Sequence, residues 1–145
     1  MNLSNKNNVY FIGIGGIGMS ALARYFVSVG KTVGGYDRTS TEITDTLENL
    51  GVSIHFEDNI QLIDKVFLDS DETLVVYTPA IPKTHTELNH FRSNGFSLVK
   101  RSEVLGEITK DTICFAVAGT HGKTTTTSIL GHLLKECEVE MTAFL

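Results

Sequence analysis

The sequence predicts an α/β fold: a Rossmann-like parallel sheet with helices on both faces, followed by the opening strand, P-loop and helix of a second domain. Short β-branched apolar runs alternate with amphipathic stretches along the chain. One glycine-rich segment follows the first apolar run, and a second, which contains a lysine, follows the last. Regular alternation of strands and helices implies right-handed crossovers, and therefore a parallel sheet that is covered on both faces.

Each expected element has a local signal. The expected strands are short apolar runs rich in β-branched residues, at residues 9–12, 32–36, 52–56, 74–77, 97–99 and 113–118. The expected helices are the amphipathic stretches between them, at residues 19–29, 41–50, 60–67, 86–93, 102–108 and 123–137. Gly30, Gly51 and Gly95 mark the ends of three of these helices. We expect the second strand to be weak, because Gly34 and Gly35 lower its propensity.

Composition excludes several classes of protein. The 145 residues amount to one domain of ordinary size without room for two complete ones, with 41% apolar residues, a mean hydropathy of +0.05 and a net charge of −5. That charge argues against a binder of nucleic acid, which needs a basic face. Cys114 and Cys137 are too few for a disulfide framework or a zinc site. The polar N-terminus and the lack of a long apolar run predict a cytoplasmic protein without a signal peptide or membrane insertion.

The first glycine-rich segment, GIGGIG at residues 13–18, has the properties of a nucleotide-binding loop. Gly13, Gly15 and Gly18 match G-x-G-x-x-G between an expected strand and an expected helix, where the glycines allow a tight turn and close approach of a diphosphate. The helix N-terminus offers unpaired N–H groups to the phosphates. Asp37 follows at the end of the second strand, where a carboxylate can accept hydrogen bonds from ribose hydroxyls. NAD and a UDP-sugar fit this loop equally well.

The second glycine-rich segment follows the last expected strand and precedes a helix, as a P-loop does. Its expected ATP-binding residues are Gly119, Thr120, His121, Gly122, Lys123, Thr124 and Thr125. Backbone N–H groups of such a loop surround phosphates, Lys123 reaches the terminal phosphates, and the Thr124 hydroxyl binds magnesium. The common P-loop G-x-x-x-x-G-K-[ST] has glycine where Val117 stands, so this is a shortened variant. A purely structural turn is the alternative.

Together, the two segments resemble those of the Mur ligases, ATP-dependent amino-acid ligases of peptidoglycan precursor synthesis. FIGIGGIGMSALA at residues 11–23 resembles the N-terminal signature of the family, and AGTHGKTTT at residues 118–126 resembles its P-loop. YTPAIP at residues 77–82 and RSEVL at residues 101–105 agree in outline. Mur ligases have three domains, and this chain resembles only the first and the beginning of the second.

The resemblance implies a domain organisation and a reaction. Residues 1–110 are expected to be the UDP-sugar-binding N-terminal domain, and residues 111–145 the truncated start of the central ATPase domain. The implied reactants are UDP-N-acetylmuramate, L-alanine and ATP with Mg²⁺, which react through an acyl phosphate. A fragment of this kind is expected to bind the UDP-sugar and to be inactive alone. Two alternatives stay open: a family member that attaches a preformed peptide to the same sugar, and an NAD-binding domain of an oxidoreductase or redox sensor.

The resemblance also implies individual site residues. The expected UDP-sugar-binding residues are Gly13, Gly15, Gly16, Ile17, Gly18, Asp37, His55, Thr78, Ala80 and Arg101. For His55 a plain polar strand end is an open alternative. The expected catalytic residues are Lys123 and Thr124, and Thr124 is the one expected magnesium ligand, with the others beyond Leu145.

Overall fold

The structure is a computed structural model that describes residues 6–110 and 112–144. Its strands are β1 Asn8–Ile12, β2 Thr32–Tyr36, β3 Ser53–His55, β4 Thr73–Tyr77 and β5 Ser97–Lys100. Its α-helices are α1 Ile17–Ser28, α2 Glu42–Asn49, α3 Thr86–Ser93, α4 Arg101–Ile108 and α5 Lys123–Glu136. The short helix expected at residues 60–67 is instead two 3-10 turns, Ile60–Leu62 and Lys65–Leu68.

The five strands form one parallel sheet in the order β3-β2-β1-β4-β5. The chain moves outward from β1 through β2 to β3, then crosses to the other side for β4 and β5, so the order reverses between β1 and β4. Ile12 at the end of β1 is level with Tyr36 of β2 and Tyr77 of β4. The loops after these three strands therefore leave the sheet at one edge, which is where doubly wound folds bind ligands.

Helices cover both faces of the sheet, as the alternation of elements predicts. On one face, α1, α2 and α4 bury Phe26, Leu47 and Val104 against the apolar side chains of the strands. On the other face, α3 and the second 3-10 turn bury Phe91 and Phe67. The Rossmann-like α/β fold predicted from the sequence is confirmed.

The paired glycines of β2 serve close packing within the sheet. A methyl group added at Gly34 would collide with the Phe67 ring, and one added at Gly35 would collide with the carbonyl oxygen of Phe11 in the adjacent strand. Both glycines are buried, and β2 pairs along its whole length with β1. Their low strand propensity is thus compensated by contacts that a larger residue would prevent.

The prediction of a buried strand at residues 113–118 is wrong. The structure assigns no strand to residues 112–120, and the side chains of Ile113 and Phe115 are 91% and 68% exposed. A strand needs a neighbour to satisfy its backbone groups, and the five described strands form a sheet that this segment does not join. Asp111, the expected first residue of the second domain, lies outside the described residues. Among residues 6–110 and 112–144, no helix has the length and apolar character needed to cross a bilayer.

Candidate functional site: the loop after β1 and the edge of the sheet

The loop between β1 and α1 makes a tight turn at the edge of the sheet. Gly13 has a φ of +88°, a left-handed conformation that favours glycine. The N–H groups of Gly13 and Ile14 both donate to the carbonyl oxygen of Tyr36, at 2.8 and 3.0 Å. These bonds fix the turn to the end of β2 and direct the chain into α1, whose N-cap is Gly16.

The N-terminus of α1 is suited to bind an anion. The first turn of this helix contains no acidic residue, and among the residues that the structure describes no side chain caps it. Unpaired N–H groups and the helix dipole favour a negative charge there by about 0.3–1 kcal/mol. The side chain of Ile17, the first helical residue, is 74% exposed beside these N–H groups. The geometry therefore offers backbone donors next to an exposed apolar side chain.

Asp37 lies directly against this loop. The N–H group of Gly15 donates to Asp37 Oδ2 at 2.6 Å, and the N–H group of Asp37 donates to the carbonyl oxygen of His55 at 3.1 Å. A methyl group added at Gly15 would lie 2.9 Å from Oδ2 and 3.2 Å from Cγ2 of the buried Thr44. The sequence predicted that Gly15 allows a close approach to the backbone, and in the structure it is the Asp37 carboxylate that makes one.

Two further expected residues, Arg101 and Thr78, lie beside the loop, and a third, Ala80, lies in the turn after β4. A methyl group added at Gly18 would lie 3.0 Å from a terminal guanidinium nitrogen of Arg101, and one added at Gly13 would lie 3.4 Å from Cγ2 of Thr78. Ala80 lies in the exposed turn after β4, where its N–H group donates weakly to the Thr78 hydroxyl at 3.5 Å. The structure thus brings together residues from four separate segments of the chain.

A cavity of about 400 Å³ opens beside the start of α1. Its lining residues come from α1, α4 and the end of the chain: Gly18, Ala21, Leu22, Arg101, Leu105 and Phe144. Among the described residues that line it, Arg101 alone is formally charged, so the cavity combines an apolar wall with a cation that can meet an anionic group.

His55 does not point freely into this site. Its Nε2 lies 2.7 Å from the hydroxyl oxygen of Tyr10, and its Nδ1 lies 2.9 Å from the carbonyl oxygen of Glu57. The Tyr10 hydroxyl also lies 2.8 Å from Oε2 of Glu87, whose side chain is fully buried. His55 therefore reaches the site through its backbone carbonyl, which accepts from Asp37, and its ring belongs to a buried network.

Burial sets the protonation of this network. It raises the pKa of Glu87 to about 7, and it raises the pKa of Tyr10, which also lies beside Glu87. Burial lowers the pKa of both His55 and His85. In the described part of the chain, Nε2 of His85 is buried without a hydrogen-bond partner. No sequence signal singles out Tyr10 and Glu87, because they look like a core aromatic and an ordinary acid in the first turn of a helix.

The second glycine-rich segment is exposed and lies at the start of α5. Gly122, with a φ of +77°, is the N-cap of this helix, and Lys123 is its first residue. The Lys123 ammonium donates to the carbonyl oxygens of Gly119 and Thr120, at 2.6 and 3.3 Å. A P-loop lies between a strand and a helix. Here the helix after the loop, α5, is present, but no strand forms at residues 112–120 before it.

Magnesium has a single expected ligand in this chain. Thr124 lies in the first turn of α5 with its side chain exposed. Among the described residues, no group of three or more His, Cys, Asp or Glu side chains could hold a metal ion. One hydroxyl alone does not make a site for this ion, which takes near-octahedral oxygen coordination.

Comparison with known proteins connects the site to one family. The family profile described as "Mur ligase family, catalytic domain" matches residues 8–112. A UDP-N-acetylmuramate–L-alanine ligase of Parabacteroides distasonis is 57% identical over 100% of this chain and 31% of its own length. The ligase of the same name from Flavobacterium psychrophilum is 60% identical over 100% of this chain and 32% of its own length. The chain therefore spans about a third of the length of the curated relatives it matches.

Solved structures agree. The crystal structure of UDP-N-acetylmuramate-alanine ligase MurC from Thermotoga maritima superposes with a TM-score of 0.81 and 34% identity, over 90% of this chain and 30% of that one. A murein peptide ligase from Psychrobacter arcticus superposes with a TM-score of 0.79 and 29% identity, over 90% of this chain and 27% of that one. The family profile matches residues 8–112, which is most of the chain, and two relatives that are 57% and 60% identical align along its full length. The chain therefore belongs to the Mur ligase family.

Proposed function

We propose that this chain is the UDP-sugar-binding part of a cytoplasmic ligase that joins L-alanine to UDP-N-acetylmuramate in peptidoglycan precursor synthesis. The observation that carries the proposal is the loop after β1, with its open helix N-terminus and the Asp37 carboxylate at 2.6 Å from the Gly15 N–H group. The names of the relatives support the choice of substrates.

In this proposal the two ends of the nucleotide are recognised by different chemistry. The N–H groups of residues 16–18 bind the diphosphate, since they lie at the N-terminus of α1, while the Gly15 N–H group stays on Asp37. Asp37 accepts hydrogen bonds from the ribose hydroxyls with the oxygen atoms that the Gly15 bond leaves available. Arg101, beside Gly18, meets the carboxylate of the sugar or a phosphate oxygen.

We further propose that residues 1–110 form the UDP-sugar domain and residues 111–145 begin an ATPase domain. In the proposed reaction a muramoyl carboxylate oxygen attacks the γ-phosphorus of ATP and ADP leaves. The alanine nitrogen then attacks the acyl carbon, phosphate leaves, and the nitrogen loses a proton. Lys123 would hold the β- and γ-phosphates, and Thr124 would contribute one ligand to a magnesium ion that neutralises phosphate charge.

The loop at residues 119–125 supports the ATP part of the proposal in one respect. Lys123 folds its ammonium back across the turn onto the carbonyl oxygens of Gly119 and Thr120, so its positive charge lies at the loop where the proposal places the phosphates. Phosphoryl transfer also needs fixed metal ligands and an in-line acceptor. For a chain spanning a third of its relatives' length, we expect no ligation by these 145 residues alone.

Calorimetry with UDP, UDP-N-acetylmuramate and NAD tests the binding proposal. We expect both uridine nucleotides to bind and NAD to bind more weakly, whereas tighter binding of NAD contradicts the proposal. The choice of amino donor needs a protein of the relatives' length, assayed for phosphate release with L-alanine and, separately, with a preformed peptide. The assay with a preformed peptide matters because part of a murein peptide ligase superposes on 90% of this chain with a TM-score of 0.79.

A further inference from the structure

In the buried network at the end of β3, one hydroxyl group faces two side-chain atoms that can both accept a hydrogen bond. Tyr10 has one hydroxyl hydrogen, yet its oxygen lies 2.7 Å from His55 Nε2 and 2.8 Å from Glu87 Oε2. Suppose that Glu87 is ionised and His55 is neutral. Glu87 Oε2 and His55 Nε2 then compete for the Tyr10 hydrogen, unless the proton of the imidazole ring is on Nε2.

The other side of the imidazole settles which nitrogen carries the ring proton. His55 Nδ1 lies 2.9 Å from the carbonyl oxygen of Glu57, and a carbonyl oxygen only accepts. Nδ1 must therefore carry a hydrogen, which leaves Nε2 of a neutral ring as an acceptor. Tyr10 then donates to His55, and the contact between Tyr10 and Glu87 is a hydrogen bond only when the carboxyl group supplies the hydrogen.

We propose that Glu87 is protonated below neutral pH and donates through Oε2 to Tyr10, which donates to His55, and that this neutral relay positions the strand end that holds Asp37. The order of donors runs from the acid through the hydroxyl and the imidazole to the Glu57 carbonyl, with every hydrogen used once. The remaining oxygen of Glu87, Oε1, accepts from the N–H group of Asn59 at 3.2 Å.

The alternative arrangement of the same proton is an ion pair of Glu87 carboxylate and doubly protonated His55. Glu87 is fully buried and the His55 side chain is 15% exposed, so this pair would place two charges in a poorly solvated interior. Other titratable groups face the network from the surrounding segments: Tyr36, Glu57, Asp58, Asp64 and His85. Burial is the largest effect on both groups: it raises the pKa of Glu87 and lowers the pKa of His55, which favours the neutral pair. Asp58 raises the pKa of Glu87 further, whereas Asp64, Asp58 and Glu57 oppose the effect of burial on the pKa of His55.

The relay reaches the candidate site through the backbone. The carbonyl oxygen of His55 accepts from the N–H group of Asp37, and Asp37 in turn accepts from Gly15. When Glu87 loses its proton, its carboxylate competes with His55 Nε2 for the single Tyr10 hydrogen, which weakens the bond from Tyr10 to the His55 ring and so loosens the residue against which Asp37 is fixed. Glu87, Tyr10 and His55 are positioning residues in this account.

NMR on the 145-residue chain without ligand tests the proton assignment. With ¹³C-labelled glutamate and ¹⁵N-labelled histidine, we expect the Glu87 carboxyl to titrate near pH 7, since burial raises its pKa to about 7. We expect His55 below that pH to carry one hydrogen, on Nδ1, and the Asp37 amide shift to change with the same midpoint. A carboxylate signal for Glu87 at pH 6, or a doubly protonated His55 beside it, overturns the proposal.

A variant that mimics the protonated acid gives an independent test. In Glu87→Gln the side-chain amide can donate to Tyr10 permanently, so the pH dependence of the Asp37 amide shift between pH 6 and 8 should disappear while the fold is kept. Glu48→Gln, at an exposed site on α2, is the matched control and should keep the parent profile. An unchanged profile in Glu87→Gln contradicts the relay.

The effect on ligand rests on the proposed nucleotide site. The UDP phosphate also loses a proton in this range, equally for both proteins, so the parent is compared with Glu87→Gln. We expect the ratio of UDP affinity at pH 6 to that at pH 8 to be severalfold larger in the parent than in Glu87→Gln; equal ratios in the two proteins overturn the positioning role. A chain that binds no UDP at any pH refutes the proposed function, while the ligand-free NMR measurement still decides where the proton lies.

Discussion

Gly15→Ala adds one methyl group at the point where the loop meets Asp37, and it should break the hydrogen bond between the Gly15 N–H group and the Asp37 carboxylate. The added carbon would lie 2.9 Å from Oδ2 and 3.1 Å from Cγ of Asp37, and 3.2 Å from Thr44. Because Thr44 is buried, Asp37 is the residue that moves, and the 2.6 Å hydrogen bond from Gly15 breaks. Gly15 does not have a left-handed φ, so the backbone itself accepts alanine.

The magnitude follows from the kind of bond that is lost. A hydrogen bond to a charged group contributes about 1.5–3 kcal/mol. We therefore expect the free energy of unfolding, measured with urea, to decrease by about that amount. Since about 1.4 kcal/mol corresponds to a factor of ten, displacement of Asp37 should weaken UDP binding by about ten- to a hundredfold. Calorimetry measures the second effect directly.

Gly106→Ala is the matched control for this substitution. Gly106 lies in α4, and apart from its chain neighbours and the backbone of its own helix no described atom lies within 4 Å of a methyl group added there. Its UDP affinity should equal that of the parent, and its stability should rise by up to about 1 kcal/mol through helix propensity. If Gly15→Ala binds UDP within twofold of the parent, the close contact between the loop and Asp37 does not determine binding, and the reasoning is refuted.

Three further predictions concern stability, acid sensitivity and the second loop. Gly35→Ala should lower the free energy of unfolding in urea by about 1–3 kcal/mol, because the added methyl group collides with the Phe11 carbonyl oxygen; parent-like stability would contradict this. Although partial burial opposes it, the backbone N–H groups that begin α3 hold the pKa of Asp58 below its ordinary value of 3.8. Its stabilising contribution is therefore present above pH 3.8 and lost as the pH falls through the lower folded-state value, so Asp58→Asn should flatten the acid limb of stability measured from pH 2 to 5. Lys123→Ala should leave UDP affinity unchanged in calorimetry, whereas in a protein of the relatives' length it should abolish alanine-dependent phosphate release.

The elements with local signals were predictable from the sequence. Residues 86–93 were expected to form a helix, and α3 spans Thr86–Ser93. The glycine loop between β1 and α1 was predictable because G-x-G-x-x-G depends on spacing within six residues and on the strand before it. Asp37 was found because the end of the second strand must lie beside that loop in a parallel sheet.

What escaped prediction depends on residues far apart in the chain. Tyr10 is 45 residues from His55 and 77 from Glu87, and only the folded sheet brings their side chains within hydrogen-bond distance. The expected strand at residues 113–118 has strong local propensity, but a strand forms only beside another strand. The segment is apolar, as its sequence shows, but in the described structure no strand pairs with it, and its side chains are therefore exposed.

The central claim, that the loop after β1 binds the diphosphate of a uridine nucleotide, is tested most directly by NMR titration of the ¹⁵N-labelled 145-residue chain with UDP. We predict saturable shifts of the Gly16, Ile17 and Gly18 amides and of the Asp37 amide, with smaller changes at residues 119–125. Unchanged signals from the loop and Asp37 at UDP concentrations that saturate shifts elsewhere would contradict the account.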